Sequence, residues 1–89
     1  MTADTPKARE DVVFRPLADD WVLFDPRRRL LHVLNLTAAM VWTNCDGQTS
    51  RAQMVDHIES AFGEPPARAD LVRDVEEALH RLEKEELLA

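Results

Sequence analysis

Eighty-nine residues, 45% apolar and 31% charged, make a single globular domain, within the range of about 50–200 residues that one core serves. A chain this short buries only roughly 60–65% of its unfolded surface, which leaves little room for a deep substrate pocket. No apolar run approaches the ~20 residues a membrane span needs, and the N-terminus lacks the apolar stretch of a secretory signal. The single cysteine, Cys45, cannot form an internal disulfide, which agrees with a reducing compartment, and a cytoplasmic location is expected.

Residues 1–10 mix Pro, Thr, Asp and Lys without periodicity and read as a flexible tail, so the folded domain is expected over residues 11–89. Three short runs of strand formers follow: Val12–Phe14, Trp21–Phe24 and Leu30–Leu34. Asp25-Pro26 between the second and third suits the start of a type I turn, because proline presets the φ angle required there. These two runs therefore predict a β-hairpin. Pro16 removes a backbone donor behind the first run, which makes it an edge strand.

After residue 35 the period changes. Ala38, Val41, Trp42 and Cys45 form a helical stripe, with Asn35 and Thr37 as candidate caps and Asp46-Gly47 as a stop. A second helix opens at Thr49 or Ser50, where Ser50 and Gln53 have capping-box spacing. Its stripe runs through Met54, Val55, Ile58, Ala61 and Phe62 to Gly63. Pro65-Pro66 is expected to start the third helix, whose core stripe is Leu71, Val75, Ala78 and Leu82, with Val72 and Leu79 beside it. Three strands followed by three helices give an α+β domain.

Catalytic and metal-binding patterns are not legible. His32, His57 and His80 fall in three different elements, none with a second ligand at zinc-site spacing. Cys45 lies on an apolar stripe with no neighbouring positive charge to activate it. Two glycines, Gly47 and Gly63, cannot build a phosphate loop. The carboxylates Glu76, Glu77, Glu83, Glu85 and Glu86 belong to the polar face of an amphipathic helix, and Trp21 and Trp42 read as core or rim aromatics. An enzyme, a metal or a cofactor is not expected.

Three helices after strands also fit a winged helix-turn-helix, and charge decides whether that means DNA. Residues 1–35 carry six basic and six acidic side chains; residues 36–89 carry five basic against eleven acidic. The whole net charge of −6 thus sits in the helical part, where a recognition helix would lie, and phosphate repels it. The Arg27-Arg28-Arg29 tip alone is insufficient, so no nucleic-acid partner is expected.

Asn35-Leu36-Thr37-Ala38-Ala39, followed by Val41-Trp42 and Asp46-Gly47, resembles the PqqD family. The resemblance continues through Val55, Ile58 and Phe62 to Asp74-Val75, Leu79, Leu82 and the closing Leu87-Leu88, over roughly residues 12–88. The family usually has glycine before that Leu-Leu, where a left-handed C-cap is expected; Glu86 stands there, so the last helix is expected to continue or fray. The resemblance implies a winged helix-turn-helix-like domain with a three-stranded antiparallel sheet. It also implies that the leader of a ribosomally made precursor peptide adds as a strand along the third strand, in a groove beside the third helix. The domain would then present the precursor to a modifying enzyme, often a radical S-adenosylmethionine protein; the family takes its name from pyrroloquinoline quinone biosynthesis.

The residues can support that mode. If the strands meander, Leu30–Leu34 lies at an edge whose unpaired N–H and C=O groups accept an added strand. Leu30 and Leu34 share one face, Leu31 and Val33 the other, and His32 is the polar interruption. On the third helix Arg68, Val72 and Leu79, with Val75, are the candidate groove wall. The edge equally allows a second reading, a structural or dimerising subunit whose copies pair edge to edge.

Overall fold

A computed structural model describes residues 4–89; Met1–Ala3, the first part of the expected tail, lie outside the described residues. The elements run β1 (Val13–Leu17), β2 (Asp20–Asp25), β3 (Leu30–Leu34), α1 (Leu36–Thr43), α2 (Arg51–Ala61) and α3 (Arg68–Lys84). The strands form an antiparallel meander in the order β1-β2-β3, which leaves β1 and β3 as the two edges. Pro16 sits in β1, where an edge strand can spare its donor.

Cross-strand partners share a face, so the register sorts the sheet. Phe14–Leu23–His32 and Pro16–Trp21–Leu34 form rows on the face that meets the helices, and Phe14 stacks on Trp21 with ring centroids 5.1 Å apart. Val13–Phe24–Leu31 and Arg15–Val22–Val33 form the rows of the opposite face. Leu23 and Leu34 close the core from the sheet side, together with Val41, Met54, Ile58, Leu71, Val75, Leu79, Leu82 and Leu87.

Local chemistry sets the helix ends. Asn35, not Thr37, caps α1, its side chain accepting from the Ala38 N–H at 2.9 Å. Ser50 and Gln53 complete a reciprocal capping box at the start of α2. Between them the Asp46 carboxylate accepts from the Gln48 and Thr49 N–H groups, which holds it below the usual carboxylate range. The third helix opens at Arg68 rather than at Pro65-Pro66. Proline biases its predecessor to extended backbone, so the pair delivers the chain to the helix instead of forming its first turn.

The C-terminus of α3 departs from the expected continuation or fraying. Glu86 adopts φ of 57°, with its N–H on the Glu83 carbonyl and the Leu87 N–H on the Leu82 carbonyl. This is a Schellman closure, with Leu82 and Leu87 both buried and glutamate in the place that favours glycine.

The tail expected through residue 10 is docked from Pro6 onward. Pro6 accepts from the Gly47 N–H at 3.0 Å, and Ala8 donates to the Cys45 carbonyl at 2.8 Å. On its other side, Arg9 donates to the Leu87 carbonyl, and Lys7 accepts from the Ala89 N–H. The segment thus lies as a short extended link between the α1–α2 turn and the chain's last residues. Gly47 has φ of +78°, and a Cβ there would meet the Lys7 side chain at 3.3 Å, so glycine serves both the turn and the close approach.

Candidate functional site: an edge strand beside a cleft

β3 is an edge because the hairpin places it after β2 and the chain leaves it directly for α1. Its exposed side chains are large and apolar: Leu30 at 45%, Leu31 at 67% and Val33 at 52%. An unprotected apolar edge is a template for another strand; natural edges usually carry lysine, proline or a bulge to prevent pairing. Leu34, at 1% exposure, buries its side chain in the core. His32 is half-buried on the helix-facing side, opposite Leu23, and its Nε2 has no hydrogen-bond partner among the described residues.

β3 and α3 both pack against α1 and share one buried core, while their backbones stand apart. No Cα of β3 lies within 8 Å of a Cα of α3. Where β3 ends and α1 begins, a hollow of about 240 Å³ opens between Asn35, Thr37 and Ala38 on one side and Asp74, Glu77, Ala78 and Arg81 on the other. Residues 74, 78 and 81 follow helical spacing and define the flank of α3 turned toward the start of α1. That wall carries two carboxylates, one guanidinium and the half-buried Ala78.

The four α3 residues read from the sequence as a groove wall take two different positions. Val75 (1% exposed) and Leu79 (0%) are buried in the core and present no surface to a peptide. Arg68 is turned to α2, donating to Asp56 at 2.8 Å and Glu59 at 3.1 Å, and those carboxylates hold its pKa above the usual value. Glu76 pairs with Arg51 of α2 on the same side, and Val72, at 41% exposure, shares that flank. Of the nine proposed contact residues, Leu30, Leu31, His32 and Val33 remain accessible or half-buried at the edge. Asp74, Ala78 and Arg81, which line the hollow, are not among the nine.

A larger cavity of about 530 Å³ lies among Pro6, Arg9, Arg28 and Glu86. Its charged groups are engaged with one another: Arg9 with Asp11 and Asp25, and Arg28 with Glu86.

Cys45 is buried and donates to the Val41 carbonyl at 3.2 Å. Burial, with Asp46 adjacent, pushes its thiol up to about 12. It is a core hydrophobe at neutral pH. No helix among the described residues is long and apolar enough to cross a membrane.

Comparison with known proteins places this geometry. A family model described as "Coenzyme PQQ synthesis protein D (PqqD)" matches residues 20–88. A solved structure, "TbiB1 in Complex with the TbiA(beta) Leader Peptide", superposes with a TM-score of 0.74 at 23% sequence identity, covering 92% of this chain and 93% of that one. A search of curated proteins finds no matching relative.

Proposed function

Because this chain belongs to the PqqD family, we propose that it is a non-catalytic recognition module that binds the leader of a ribosomal precursor peptide by strand addition. The leader pairs with the β3 edge, beside the cleft that separates β3 from α3, and the domain presents the precursor to a modifying enzyme. The carrying observation is the unprotected apolar edge of β3 beside that cleft. The neighbour that shares this fold was solved with a leader peptide bound, which supports the same occupant here. Backbone pairing supplies affinity in such complexes, and side chains at alternate positions supply selectivity. A radical S-adenosylmethionine protein fits the family as the enzyme, and a cytoplasmic setting fits a buried, unpaired cysteine.

Amide NMR titration with the leader of a short precursor encoded beside this protein tests the reading. Shifts concentrated at Leu30–Leu34 and along Asp74–Arg81 are expected, with Arg68 and Val72 silent. Absence of shifts with a saturating leader would remove leader binding. The same free edge leaves room for the alternative of a dimerising subunit paired β3 to β3, which concentration-dependent mass without leader binding would support.

A further inference from the structure

The face of the sheet turned away from the helices carries two rows that both end at the β3 edge. One row is Val13–Phe24–Leu31, and the next is Arg15–Val22–Val33. Leu31 and Val33 close these rows, and they are the two most exposed apolar residues of β3. Among the described residues no fourth strand continues the rows, and both side chains stay exposed.

Resting on leader binding at β3, we infer that Leu31 and Val33 select the leader's outward-facing residues, so the ligand is a two-faced strand and not one read only from the cleft. A strand added to β3 puts its side chains alternately into the cleft and onto the outer face, whichever direction it runs. The outward pair, two residues apart, falls opposite or diagonal to Leu31 and Val33. Apolar or β-branched residues at those two positions extend the rows and cover Leu31 and Val33; polar ones leave both exposed. Leader segments recognised by this chain therefore carry β-branched, leucine or aromatic residues at two outward positions, independent of what the cleft accepts.

A displayed library of random strand-length peptides, selected on the full-length protein, tests this. Binders are assigned to the edge by amide shifts at Leu30–Leu34. Enriched sequences should show apolar residues at alternate positions. Changing those two to serine in one enriched peptide should weaken binding roughly two- to thirtyfold, the product of two cross-strand pairs. Against the Leu31→Thr/Val33→Thr variant, whose changes are on the surface, the same peptide change should cost less than twofold. Edge binders with no alternate apolar preference, or an equal serine penalty on both proteins, would overturn the inference while leaving leader binding intact. If no peptide shifts the β3 amides, leader binding fails and the inference falls with it.

Discussion

Arg9 lies in a bidentate pair with Asp25, at 3.1 and 3.2 Å, and ties the N-terminal segment to the end of β2 across sixteen residues. Asp25 is fully buried, and the Arg9 side chain is 10% exposed. The guanidinium also binds Asp11 through two further bonds and donates to the Glu86 carbonyl at 2.9 Å, so one side chain joins N-terminus, hairpin and C-terminus. Removing Arg9 leaves the buried Asp25 carboxylate without its counter-charge, which costs more than the pair contributes, whereas Arg9 without Asp25 keeps Asp11. Arg9→Met should lower the thermal midpoint by about 10 °C or more, and Asp25→Ala by less. The Arg9→Met/Asp25→Ala double variant should lose clearly less than the sum of the two single variants. Additive losses would show that the pair acts independently.

The same cluster sets an acid limit. Bonding to Arg9 holds the carboxyls of Asp11 and Asp25 below the usual carboxylate range. Their folded pKa values lie below the unfolded ones, so the unfolded chain takes up protons first as pH falls. Their contribution is fully present above the unfolded value of about 4 and disappears as pH drops through the folded values. Urea midpoints should fall steeply below pH of about 4, and the fall should be shallower in Arg9→Met. Equal slopes would place the acid sensitivity elsewhere.

Glu86 occupies a left-handed position that glycine adopts without strain. Glu86→Gly removes that strain and also removes an exposed pair with Arg28, which contributes little. Equilibrium unfolding should show a gain of about 0.5–1 kcal/mol. A loss would mean that the Arg28 pair outweighs the backbone.

Cys45 should be chemically silent in the folded protein, since burial keeps the thiol protonated. Its rate of reaction with a thiol reagent at pH 8 should follow unfolding and rise with urea. Prompt labelling in native buffer would contradict its placement in the core.

The two flanks of α3 make opposite predictions for binding. Ala78→Gln fills the flank beside the hollow and should weaken leader affinity about tenfold, or 1.4 kcal/mol. Val72→Gln lies on the α2 flank and should change it less than twofold. Calorimetry on both variants decides; the reverse order would return the groove to Arg68 and Val72.

Much of this molecule was determined by local sequence. Strand runs, the change of period after residue 35, the Ser50–Gln53 capping box and the Asp46-Gly47 break each act within a few residues, so they read directly and yield the α+β order. The edge position of Leu30–Leu34 followed from a hairpin and a meander. The docking of Pro6–Arg9 was not legible, because its partners stand at residues 45–47 and 87–89 and a backbone bond carries no mark in composition. Nor was the flank of α3 that borders the cleft. An amphipathic helix shows which stripe it buries, but its two borders look alike until packing on α1 and α2 turns Arg68 to one side and Ala78 to the other. Periodicity reports burial; only the crossing of helices decides what stands beside the buried face.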